Sequence, residues 1–159
     1  MFAGIDPGLS GGVAFMNDDG TLESIQKMPE TEKDTSDIFS ACPPLALAII
    51  ERVHSFPEQG VSSSFKFGMH YGLLRGILVS IGIPFEDCPP QTWQRYMNCL
   101  THGDKNISKA KAQQLFPGFK ITHCTADAIL IAKYAREKYL GLLPPPIKME
   151  RRKEVAEVF

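Results

Sequence analysis

The sequence predicts an α/β fold in one domain: a mixed five-stranded sheet, its first three strands antiparallel, flanked by helices. Three observations carry this. Three short apolar runs follow one another at the N-terminus, separated by turn residues, as an antiparallel meander reads. A continuous apolar run, Leu45 to Ile50, then stands beyond a polar, Pro-containing stretch, as a strand buried on both faces does. After it, helical and strand signals alternate, which puts helices on the flanks of the sheet.

In order along the chain, the first strand is Phe2 to Asp6, broken by Pro7-Gly8, and the second is Gly12 to Met16. Asp18-Asp19-Gly20 makes the hairpin turn into a third strand, Leu22 to Met28. A short helix is expected around Ser36–Ala41, capped by Thr35 or Ser36. The buried run follows and ends in Glu51. Residues 54–64, with Pro57, Gly60 and four serines, read as a mobile surface loop. From Phe65 to Ile81 the apolar positions Phe67, Tyr71, Leu74, Ile77, Leu78 and Ile81 keep helical spacing, closed by Gly82. Pro84 to Cys88 is a short strand, and Pro89-Pro90-Gln91-Thr92-Trp93 opens a helix through Met97. A basic helix near Ile107–Leu115 and a last helix, Thr125–Tyr139, complete a domain spanning 1–143. The Pro-rich and charged stretch 144–159 reads as an appended tail.

The whole chain narrows the class. Its 159 residues can bury one sizeable core but not two with a cleft between them. No apolar stretch approaches the roughly 20 residues of a membrane span, and the N-terminus lacks the layout of a signal peptide, so an intracellular, cytoplasmic protein without a membrane partner is expected. Four cysteines, Cys42, Cys88, Cys99 and Cys124, show no CxxC spacing and suggest no zinc knuckle or redox pair. Net charge is −1, but unevenly spread: residues 1–100 carry six basic and twelve acidic groups, and 101–159 carry eleven basic and six acidic. A localised phosphate-binding face in the C-terminal third fits that asymmetry.

Three acids stand where an acid is costly. Asp6 ends the first strand, Glu51 ends the most apolar run, and Asp127 sits inside Ala126-Asp127-Ala128-Ile129-Leu130-Ile131-Ala132. Buried carboxylates destabilise unless paired, hydrogen-bonded or bound to a cation. Singly, each fits a cap or a surface-facing strand end. Together they suit a hard divalent cation such as Mg²⁺, and two such ions about 4 Å apart support phosphodiester hydrolysis.

These residues carry a resemblance. Gly4-Ile5-Asp6-Pro7-Gly8-Leu9-Ser10-Gly11-Gly12 resembles the first motif of the RuvC family of Holliday-junction resolvases, Ile49-Ile50-Glu51 the second, and Ala126-Asp127-Ala128 the last. Phe56-Pro57, Gln59-Gly60, Phe67-Gly68 and Tyr71-Gly72 are most similar to phage-encoded and chloroplast members. The similarity runs from about residue 2 to 140. It implies the ribonuclease-H-like fold and a crossover-junction endonuclease that cuts four-way DNA junctions by paired symmetric nicks. It further implies two Mg²⁺ ions per active site, with Mn²⁺ also effective, held by Asp6, Glu51 and Asp127.

The chain departs from the family at one corner. Many relatives carry a fourth acid three residues before the last aspartate, where this chain has Cys124; His123 lies four before it, on the same helical face as Asp127. His123 is accordingly a metal ligand or a general acid/base, against the simpler reading of a helix-entry histidine bonded to backbone. Thiolates prefer softer metals, which argues against Cys124.

For DNA contacts, Lys105, Lys109 and Lys111, with Ser108 and Lys120 nearby, fall where the family holds the cut strand's backbone, although a charge run is often only a solvated face. Phe56 is placed to stack on a base exposed at the branch, with Arg52, His54 and Gln59 adding polar contacts; the bland alternative folds Phe56 onto the core. A two-fold junction calls for a homodimer. Gly68, Gly72 and Gly76 make a small-residue stripe that faces either a partner or the sheet. Three rivals are weighed. An actin-like or sugar-kinase-like ATPase needs two such domains, so no nucleotide cofactor is expected. A non-cleaving junction-binding module has no reason to set carboxylates beside phosphate. A nuclease of the same fold acting on flaps, other branched DNA or RNA:DNA hybrids stays open.

Overall fold

The computed structural model describes residues 1–52 and 60–143. Five strands, β1 (Phe2–Asp6), β2 (Gly12–Met16), β3 (Leu22–Lys27), β4 (Leu47–Glu51) and β5 (Phe85–Cys88), form one sheet in the order β3-β2-β1-β4-β5. The β1–β2 and β2–β3 pairs are antiparallel, and β1–β4 and β4–β5 are parallel. Among the described residues, helices α1 (Glu32–Ser40), α2 (Val61–Ser80), α3 (Pro90–Tyr96), α4 (Lys105–Leu115) and α5 (His123–Tyr139) flank it. None of them is long and apolar enough to cross a membrane.

Because successive strand residues point to opposite faces, the sheet sorts its side chains into two cores. Phe2, Ala14, Met16, Leu47, Ile49 and Cys88 pack with α5, Trp93 and Ala112 on one face. Ala3, Ile5, Val13, Phe15, Ala48 and Ile50 pack with Phe39 of α1 and Leu74, Ile77 and Leu78 of α2 on the other. This two-sided burial is why Leu47–Ile50 reads as an unbroken apolar run. Helix α5 is itself enclosed, touching β1, β2 and β4 on one side and α3 and α4 on another. Ile129, Leu130 and Ile131 are all fully buried, each contributing on the order of 1.5–3 kcal/mol.

Several boundaries differ from the sequence expectation, each for a local reason. Helix α1 starts at Glu32, because the Thr31 hydroxyl accepts from Asp34 N at 3.1 Å and caps it. Glu32 and Asp34 then sit in the first turn, where acids suit the helix dipole. Residues 61–64, expected in a loop, are the first turn of α2. Helix α4 begins at Lys105, with the Asp104 carboxylate accepting from Asn106 N at 2.9 Å. Helix α5 begins at His123, because Thr125 is the inner partner of a cap: its hydroxyl accepts from Thr122 N at 3.1 Å. The expected tail, 144–159, lies outside the described residues.

Candidate active site

The parallel pairing of β1 with β4 sets Ile5 beside Ile50, so the next residues, Asp6 and Glu51, end neighbouring strands. Strand alternation turns both toward the α5 face, the face that also takes Gly4 and Ile49. Helix α5 comes unusually close to that face because two positions lack a side chain. A Cβ on Gly4 would fall 2.1 Å from the carbonyl oxygen of Ala128 and 2.2 Å from Ala132 N. One on Gly12 would fall 2.7 Å from the carbonyl oxygen of Cys124. Asp127, one residue before Ala128, is thereby brought over the ends of β1 and β4.

The electrostatics record that convergence. Burial raises the Asp6 carboxyl well above its usual range, and the charges of Glu51 and Asp127 raise it further. Burial and the Asp127 charge push Glu51 up to about 7, although Trp93 Nε1 donates to its Oε1 at 3.0 Å and pulls the other way. Asp127 is raised by burial and drawn down by Ser108, Lys105 and His123. The Lys105 ammonium lowers all three acids. As the first residue of α4 it places a cation at a helix N-terminus, which costs about 0.3–1 kcal/mol, and the three carboxylates offset that.

The donor set fits a hard divalent cation. Three like-charged carboxylates converge, and Asp127 Oδ1 is buried without a hydrogen-bond partner among the described residues, an acceptor with nothing to accept from. The acids are near enough to repel one another. Among the described residues, however, no three His, Cys, Asp or Glu side chains are closed into a single coordination shell.

The other sequence-predicted residues fall at varying distances from this centre. His123 is exposed at the start of α5, its charge is felt at Asp127, and its Nε2 lies 3.0 Å from Asn106 Oδ1. The partner is thus a side chain and not the backbone of the simpler reading. Ser108, expected on phosphate, is only 1% exposed; it lies beside Asp127 and lowers that carboxyl, while its hydroxyl proton is donated to the Lys105 carbonyl at 3.3 Å. Lys109 and Lys111 are half-buried on α4, and the Lys111 charge is felt at Cys99. Arg52 is exposed just past Glu51, its backbone N–H donating to the Cys88 carbonyl at 2.7 Å and its charge falling on Asp87. His54, Phe56 and Gln59 lie outside the described residues. Gly68, Gly72 and Gly76 are exposed with open space around them, so the stripe does not face the sheet.

Two partners escaped the sequence reading. Trp93 was visible only as a helix-opening residue and Asn106 only as a loop residue, yet they hold Glu51 and His123. The chain's one tryptophan, three residues past Pro89-Pro90, was a usable signal; Asn106 offered none.

The sheet order, its mixed pairing and the carboxylates at the β1 and β4 ends define the ribonuclease-H-like class of α/β folds. Within that class, solved structures of RuvC from Thermus thermophilus are similar to this chain. One matches with a TM-score of 0.57 and 19% identity, over 91% of this chain and 98% of that one. Another, of T. thermophilus RuvC in complex with a Holliday junction substrate, matches with a TM-score of 0.63 and 16% identity over the same shares. No protein-family model and no curated protein matches the chain. At these identities the likeness is one of fold.

Proposed function

We propose that this protein is a divalent-metal-dependent endonuclease that resolves four-way DNA junctions by paired symmetric nicks. The observation that carries the reading is the meeting of Asp6, Glu51 and Asp127, from two strands and a helix distant in sequence, in a fold similar to that of RuvC. Destabilising carboxylates gathered in this way call for a cation. In our reading these three residues hold two Mg²⁺ ions, for which Mn²⁺ substitutes. Such ions supply charge neutralisation at the phosphodiester and acidify the attacking water.

The remaining roles follow from position. Trp93 fixes the Glu51 carboxylate and Ser108 tempers Asp127. His123, steadied by Asn106, is the fourth ligand or exchanges a proton near the attacking water. Lys105 balances the acids and, with Lys109 and Lys111, grips the backbone of the cut strand. Arg52, His54, Phe56 and Gln59, directly after Glu51, read the opened branch, with Phe56 stacking on an exposed base. The affinity to phage-encoded and chloroplast members rests on the motifs of residues 51–76 alone.

A junction is two-fold symmetric, so a homodimer presents two sites to two opposed strands. The exposed α2 side chains Phe65 and Met69, beside the open glycine stripe, support association there. The deciding experiment is cleavage, with Mg²⁺, of a labelled four-way junction beside a nicked duplex, a flap and an RNA:DNA hybrid of matched sequence. Symmetric nicks on the junction alone, stopped by EDTA, are expected. Preferential cutting of flap or hybrid overturns the substrate, and no cutting at all overturns the chemistry.

A further inference from the structure

The turn that carries Asp6 out of β1 is anchored from the opposite side of the sheet. Gly8 N–H donates to His70 Nδ1 of α2 at 3.1 Å, across 62 residues of sequence. Among the described residues no other side chain bonds the backbone of residues 7–11. The rest of the turn is tight: Gly11 N donates to the Gly8 carbonyl at 2.9 Å, and Met28 N to the Gly11 carbonyl at 3.0 Å. Gly8 has φ +98°, and a Cβ there would fall 2.8 Å from the Phe67 ring. A Cβ on Gly11 would lie 2.0 Å from the Asp6 carbonyl oxygen and 3.1 Å from its carboxyl carbon. With so little slack, a shift of Gly8 is passed on through Gly11 to the Asp6 carboxylate.

We propose that His70 is a positioning residue for the carboxylate site: by accepting the Gly8 N–H it fixes the turn from Asp6 to Gly12, and so aims Asp6 at the space shared with Glu51 and Asp127. This rests on reading those carboxylates as a divalent-cation site. A side chain retained for packing alone has no need to be histidine, since His70 Nε2 is buried without a partner among the described residues, an unfavourable state. What the imidazole supplies is the acceptor on Nδ1, which requires the neutral ring. Burial holds the His70 pKa below its usual value and keeps that form at neutral pH.

The test compares His70→Leu, which keeps bulk but removes the acceptor, with His70→Asn, whose Oδ1 stands where Nδ1 does. A cavity of about 550 Å³, bordered by Leu9, Phe67 and His70, gives both variants room, and thermal melting checks that they fold. Four quantities are read: exchange of the Gly8 amide by NMR, Mn²⁺ affinity by calorimetry, and kcat and KM on a four-way junction. In His70→Leu the Gly8 amide should exchange faster, Mn²⁺ affinity and kcat should fall about 10- to 100-fold, and KM should hold. His70→Asn should restore all of these. The inference is overturned if folded His70→Leu binds Mn²⁺ and turns over like wild type, or if folded His70→Asn is as impaired as His70→Leu. If Gly8 loses protection in His70→Leu while the wild type binds Mn²⁺ but cuts no junction, the anchor stands and the nuclease reading falls. A wild-type chain that binds no Mn²⁺ overturns both.

Discussion

The two faces of the sheet are covered in opposite ways. On one, α5 lies so close to β1 and β2 that Gly4 and Gly12 cannot carry a side chain, and its middle turns are buried all round. On the other, α2 rests on Leu74, Ile77 and Leu78, while Phe65, Gly68, Met69, Gly72, Gly76 and Val79 look outward into open space. The rigid face carries all three carboxylates, since groups that repel stay together only where packing over-determines their position. The loosely covered face holds none of them, and it leaves an apolar stripe exposed. From the loose face, His70 bonds the turn that leaves Asp6.

The largest expected effect lies at the rigid face. Asp6→Asn, Glu51→Gln and Asp127→Asn should each lower junction cleavage by roughly 10³-fold or more, with junction binding retained in a gel-shift assay. Next comes packing: Gly4→Ala drives a methyl into the backbone of α5 and should destabilise by about 3 kcal/mol, read as a lowered denaturant midpoint.

A third prediction uses pH. The folded-state pKa of Glu51, about 7, lies above its ordinary value of 4.5, and Asp6 and Asp127 are raised too. The cation-free folded protein therefore holds protons that the unfolded chain gives up. This contribution to stability is fully present below pH 4.5 and is lost as pH rises through about 7, by on the order of 2–3 kcal/mol for Glu51. Melting curves from pH 4 to 8 should show the loss, and added Mg²⁺ should reverse it at the upper end.

These acids were legible in the sequence because each interrupts an apolar element, a local contrast that needs no third dimension. So were the strands, whose alternation and turn residues are local as well. What was illegible depends on contacts between distant residues. Trp93 meets Glu51 across 42 positions, and His70 meets Gly8 across 62. Helix starts were missed because the capping residues Thr31 and Thr122 lie ahead of the apolar periodicity used to find helices.

Two smaller effects sharpen the contrast between the faces. Trp93→Phe removes the N–H that holds Glu51 down, so Glu51 should titrate higher and the rising limb of the pH–rate profile should move up, with about 1 kcal/mol lost in stability. Gly72→Ala adds a methyl where nothing lies within 4 Å and should stabilise the isolated subunit by about 0.5–1 kcal/mol. If it instead weakens self-association in sedimentation, a second copy covers this face of α2.

The most direct test is a side-by-side cleavage of one labelled four-way junction by wild-type protein and Asp6→Asn in Mg²⁺. The site described here predicts paired nicks from wild type, none with EDTA, and a variant that binds the junction without cutting it. Cutting by Asp6→Asn at the wild-type rate would contradict it.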